Sequence, residues 1–218
     1  MVLALLTVDA LLTISIVAGA ATGKAAEQAP WKPELLPRER EMAAALSAGP
    51  ASIVDGAGVY LLTQKGFVLE RPSRNGFHCL VARDLPGSFE PQCFDSEGSE
   101  TLMQVTLLQT SLRMGGESPT TISRAVAEGY ASGRLRAPRR PGIDYMLSRE
   151  NRVPVDDKGA VAPYRPHVMI YMPYLGNADV GGDARGGSPV FVINEHTPGA
   201  YLIIPVPAET LHAHAGSP

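Results

Sequence analysis

Between residues 36 and 207 the chain alternates short apolar runs with Gly- and Pro-rich breaks, and the spacing inside each run predicts the element it forms. Residues 38–47 follow Pro37 and stop at Gly49-Pro50, which predicts a helix with proline at its tolerated first turn. Three strand-like runs come next, over 58–63, 67–71 and 77–82. Their connections are short and the second contains Asn75-Gly76, a hairpin dipeptide, so a β-meander is expected. In the third run alternation puts Phe77, Cys79 and Val81 on one face and His78, Leu80 and Ala82 on the other.

Residues 99–114 and 119–132 carry the helical period instead. In the first, Leu102, Val105, Leu108 and Leu112, joined by Met103, make a stripe that Gly115-Gly116 ends. Ser118-Pro119 starts the second, Ile122, Val126 and Tyr130 share one face, and Gly133 stops it. Four further strand candidates, 144–148, 167–173, 190–194 and 201–206, are separated by loops rich in Gly, Pro and Asp. Strands, then helices, then strands again predict an α+β fold over an alternating βαβ one. The expected architecture is an antiparallel or mixed sheet of about six to seven short strands with two to three helices packed on it.

The first 26 residues break this pattern. They are mostly apolar, with small residues around 18–25 that suit a cleavage site, and they read as a signal peptide. No Lys or Arg precedes the run and Asp9 lies near its start; the alternative is a retained N-terminal anchor, in which Asp9 would be costly in lipid. Residues 27–36 then read as a linker, 37–208 as one domain, and 209–218, with His212 and His214, as a disordered tail.

Composition narrows the function classes. The 218 residues are 44% apolar and 19% charged, values of a globular chain with enough length for a real core. Nineteen Lys and Arg against 22 Asp and Glu give a net charge of −3, which argues against nucleic acid as a partner. The basic cluster at 134–140 reads as a solvated loop. Cys79 and Cys93 are the two cysteines; in an oxidising compartment they are expected to form a disulfide, which the loop-entropy model values at about 3 kcal/mol. That location makes a small molecule or another envelope protein the expected partner, with the membrane involved only if the N-terminal segment is retained.

Candidate chemistry is sparse. No metal-binding, phosphate-loop or serine-elbow motif is present, so no metal or cofactor is expected. The glycines at 181–187 precede a strand instead of a helix, and the Met and Tyr residues of the strand candidates read as core more readily than as a haem or copper pocket. His167 opens a very apolar strand whose alternation places His167, Met169 and Tyr171 on one face, and Tyr174, Asn177 and Asp179 follow in a loop that Gly176, Gly181 and Gly182 allow to bend. With Asp144 and His78 as further candidates, these seven residues form the predicted binding site. The bland alternative is a histidine capping a hairpin and an aspartate shaping a turn.

Four segments carry a resemblance: NGFHC at 75–79, RPGIDYMLS at 140–148, PHVMIYMPY at 166–174 and GNADVGG at 176–182. Together they resemble an uncharacterised family of bacterial exported proteins without an established activity, over roughly residues 40–207. The resemblance implies an envelope location and no reaction. The expectation is therefore an exported protein that binds a ligand or partner without catalysis. Its alternative is a small hydrolase or metal-dependent enzyme centred on His167 and the Asn177–Asp179 loop, with Ser148 or Ser132 as the nucleophile of a hydrolase.

Overall fold

The computed structural model describes residues 31–155, 160–183 and 188–207. The expected signal segment and the expected tail lie outside the described residues. Residues 31–36, read as linker, form no helix or strand, yet the Arg113 guanidinium sits 4.9 Å over the Trp31 ring and Leu36 packs on the core.

The first half of the chain runs α1 (Arg38–Leu46), α2 (Ala51–Val54), β1 (Gly58–Thr63), β2 (Gly66–Arg71), β3 (His78–Ala82) and β4 (Glu90–Phe94). Three helices follow: α3 (Ser96–Glu100), α4 (Leu102–Gly115) and α5 (Pro119–Ala131). The second half is β5 (Ile143–Met146), β6 (Arg152–Pro154), β7 (Val161–Pro163), β8 (His167–Tyr171), α6 (Asn177–Val180), β9 (Phe191–Ile193) and β10 (Tyr201–Pro205). Among the described residues, no helix is long and apolar enough to cross a membrane.

The class is α+β, as the element order predicts. Eight strands form one mixed sheet in the order β2-β1-β3-β4-β5-β8-β10-β9, and β6 pairs with β7 apart from it. All seven expected strands join the large sheet, and β4 is added at its centre. The counts exceed the expectation: the large sheet has eight strands against the six to seven expected, and six helices stand among the described residues against two to three. Two further expectations need correction. The first three strands are not a meander: β3 pairs in parallel with β1, through Gly58↔His78 and Val59↔Cys79, so β2 and β3 flank β1. Asn75-Gly76 does not make a hairpin turn, because its polar groups are taken by the neighbouring backbone. The Asn75 side chain donates to the Ile53 carbonyl and accepts from the Phe77 amide, and residues 72–77 cross the end of β1 with Arg74 N–H on Gly56 O.

The second correction concerns the helix expected over 99–114. It breaks at Thr101, whose backbone (φ −126°, ψ −83°) is not helical, giving α3 and α4. The inner face of α4 is also rotated from the apolar stripe: Leu102, Met103, Thr106, Thr110, Arg113 and Met114 are buried, whereas Val105, Leu108 and Leu112 are half-buried. Gly116 (φ 88°) ends α4 in the left-handed conformation that glycine adopts freely.

Strand alternation sorts the core into two layers. Val59, Cys79, Val81 and Cys93 pack with Ala44, Ala45 and Ala48 beneath α1. Leu80, Ala82, Phe94 and Tyr171 pack with Leu102 and Met103 beneath α4. The Cys79–Cys93 disulfide is present, joining directly paired residues of β3 and β4 on the α1 side with Cα atoms 4.0 Å apart. On the α4 side, one cross-strand pairing sets Leu80 beside Gln92 and another sets Met146 beside His167.

Candidate functional site

Directly opposed residues of antiparallel strands point to the same face. By that rule Glu90 and Gln92 of β4, Met146 of β5, His167 and Met169 of β8, and Tyr201 and Ile203 of β10 all face α4. They do not all meet it. A cavity of about 310 Å³ remains between this part of the sheet and Leu102, Val105, Thr106 and Gln109 of α4. Asp84, Tyr130 and Tyr164 complete its polar wall. The size lies at the lower end of ordinary small-molecule sites, and its mixed lining is also typical of them.

Two of the polar lining groups are almost wholly buried. Gln92 is 6% exposed and His167 3%. The His167 Nδ1 lies 2.8 Å from the Arg165 carbonyl, a contact that requires Nδ1 to carry the proton. That tautomer leaves Nε2 as an acceptor, and burial keeps the ring below the usual histidine pKa, hence neutral. Neither Nε2 nor the Gln92 amide has a protein hydrogen-bond partner among the described residues. The Tyr164 ring meets the imidazole edge-on, 4.9 Å between centroids, and holds its orientation.

The acids of the cavity are perturbed. Burial pushes the Glu90 carboxyl up to about 7; the nearby Asp84 charge adds to the rise and a hydrogen bond from Ser88 opposes it. Asp84 is raised by burial of its carboxyl, with Arg113 pulling the other way. Its Oδ1 is buried without a hydrogen bond, 4.0 Å from the Arg113 guanidinium, although 37% of the side chain is exposed. Burial likewise raises Tyr130, Tyr164 and Tyr201, so all three hydroxyls keep their protons.

The structure distributes the seven predicted site residues over three places. His167 lines the cavity. Tyr174, Asn177 and Asp179 lie past the other end of β8, four strand steps or about 13 Å further on. There Asn177 brackets Val192, donating to its carbonyl and accepting from its amide, while Asp179 accepts from the Gly176 amide. Both act as turn and strand-end ties. Tyr174 is exposed at positive φ, 67°. Tyr171 is fully buried and donates its hydroxyl to the Ile143 carbonyl at 2.6 Å.

Asp144 is also fully buried; its Oδ1 accepts from the Cys93 amide and its carboxyl is raised well above the usual range, mainly by burial. His78 sits at the far end of β3, with Nδ1 3.1 Å from Ser99 Oγ. Ser99 is on the buried face of α3, and neither partner of this imidazole–hydroxyl contact lines the cavity. The two serines considered as nucleophiles are engaged elsewhere: Ser148 accepts from Ser47, and Ser132 donates to Gly129 O. Among the described residues, no group of three or more His, Cys, Asp or Glu side chains is placed to hold a metal ion.

Sequence reasoning missed Glu90, Gln92, Asp84 and Tyr164. The signal that would have found the first two is their period-2 spacing just before Cys93-Phe94, hidden by Pro91 between them. Comparison of the chain with protein-family models, curated proteins and solved structures finds no match.

Proposed function

We propose that the chain is an exported bacterial envelope protein that binds a small molecule in the cavity between α4 and the sheet, with no chemistry of its own. One observation carries the binding reading: two buried polar side chains, Gln92 and His167, line an open volume without protein partners. Both side chains open onto the cavity, so a ligand with matching groups gains hydrogen bonds there, each contributing about 0.5–1.5 kcal/mol net. Export is supported by the apolar N-terminal run and by the Cys79–Cys93 bond, which suits an oxidising compartment.

The test is a filled cavity. Val105 is half-buried and lines the cavity from α4, so Val105→Phe occupies the volume without entering the inner face of the helix. A thermal-shift screen of small polar molecules is expected to yield compounds that stabilise the wild type but not this variant. Ligands that stabilise both chains equally would place binding elsewhere and overturn the reading.

A further inference from the structure

We propose that the cavity selects a small organic cation, a short-chain primary amine, held by Glu90, Gln92 and His167. The inference rests on the binding reading above and specifies its ligand class.

The lining supplies acceptors in excess. Glu90 and Asp84 bring carboxylates, His167 brings a lone pair at Nε2, and Gln92 brings an amide oxygen. No Lys or Arg lines the cavity, and Arg113 engages Asp84 from outside it. An anion entering would meet two acids and no compensating charge. A neutral apolar guest would leave Gln92 and Nε2 unsatisfied. An ammonium group brings three donors, one each for Glu90, Gln92 and His167, and a positive charge opposite in sign to the acids. Leu102, Val105, Met169 and Ile203 offer apolar wall to a short alkyl chain, and the rings of Tyr130, Tyr164 and Tyr201 favour a nearby cation.

Uptake is then coupled to a proton. Glu90 is faced by Asp84 from the loop after β3, Asp144 from β5, Tyr164 from the loop after β7, His167 from β8, Tyr201 from β10 and Tyr130 from α5; α4 lines the cavity with the uncharged Thr106 and Gln109, and its Arg113 stands outside the lining, engaged with Asp84. Of the groups that line the cavity none brings a positive charge at neutral pH, and the Arg113 charge is directed to Asp84, so a bound cation is what favours the ionised Glu90 carboxylate. With Glu90 ionising at about 7, its charged fraction rises about tenfold between pH 6 and pH 8, and amine affinity rises with it.

The experiment is an NMR titration of the full chain with three probes of equal length: butylamine, 1-butanol and butyrate. Butylamine is expected to bind at one site, shifting the Gln92 side-chain amide, about tenfold more tightly at pH 8 than at pH 6. Glu90→Gln is expected to weaken it at least tenfold at pH 8 and to flatten the pH dependence, with the fold retained. If 1-butanol or butyrate binds as tightly as butylamine, and Val105→Phe abolishes it, the cation is overturned while the cavity stands as a binding site. If none of the three perturbs the cavity residues, both readings fall.

Discussion

Arg83 and Glu41 form a two-point ion pair inside the protein: Nη1 donates to Oε1 at 2.9 Å and Nη2 to Oε2 at 2.6 Å, with both side chains buried. The pair ties the chain just past β3 to α1, and the same guanidinium lies 5.1 Å over the Phe89 ring. Removing one partner strands the other charge in the core. Glu41→Gln or Arg83→Met alone is expected to lower stability by about 3–5 kcal/mol, whereas the double variant Glu41→Leu/Arg83→Met recovers most of it. Urea denaturation of the three variants measures the difference, and equal losses in single and double variants would contradict this account.

Tyr171 is clasped by two glycines. A β-carbon on Gly98 would overlap its hydroxyl, and one on Gly142 would stand 2.7 Å from its ring and 2.6 Å from Asp95 Oδ2. Gly98→Ala is expected to lower stability by about 1–3 kcal/mol through overpacking. Tyr171→Phe should cost about 1–2 kcal/mol for the lost bond to Ile143 O. In the double variant the struck oxygen is gone, so its cost falls below the sum. A strictly additive double variant would show that Gly98 and Tyr171 do not interact.

The raised carboxyl of Glu90 has a definite sign in stability. An acid whose folded pKa lies above its unfolded value keeps a proton that the unfolded chain has already lost. Its contribution therefore turns unfavourable as pH rises from about 4.5 to about 7 and stays so above. Glu90→Gln mimics the protonated form. Relative to wild type, the variant should be nearly neutral at pH 4.5 and more stable by about 3 kcal/mol at pH 8. Denaturation midpoints at the two pH values report it; a variant less stable at pH 8 than at pH 4.5, each against wild type, would reverse the sign.

The disulfide closes a loop of 15 residues, counting Cys79 and Cys93. Cys79→Ala/Cys93→Ala is expected to lose about 3 kcal/mol. Adding reductant to the wild type in denaturant should lower its midpoint towards that of the variant. A midpoint indifferent to reductant would mean that the bond adds nothing to stability.

Where local pattern and final environment agree, the fold was legible before the structure. The two faces of β3 follow from alternation alone, and Ser118, Pro119 and Gly133 bound α5 as capping chemistry requires: the Ser118 hydroxyl accepts from the Thr121 amide and Gly133 takes φ 75°. β4 escaped notice because Pro91 argues against a central strand. The structure accommodates it by register. Cys93 points its amide towards β5, where Asp144 accepts it, and Pro91, two residues earlier, faces the same way beyond the last paired residue of β5. The cavity was illegible for a related reason. Its polar wall joins residues 84–92 to 164–167, a juxtaposition made by strand order, and only His167 carried a local sign of being special. The predicted loop partners belong to the other end of β8, a distance that spacing along the chain does not reveal.

The order of strands divides the large sheet in an uneven way. β1 to β4 form a contiguous block of chain, β5 with β8 to β10 form another, and the ladder between them has two residue pairs, Cys93↔Tyr145 and Phe94↔Asp144, extended by Asp95 N–H on Ile143 O. Such a narrow seam is where cooperative unfolding units part company, so the amides of the two blocks should exchange with solvent as separate groups. Glu90 and Gln92 stand on one side of that seam, His167 and Met169 on the other. A guest of the proposed kind, held by both sides, would act as a rivet between the two half-sheets and add its binding free energy to the hold across the seam.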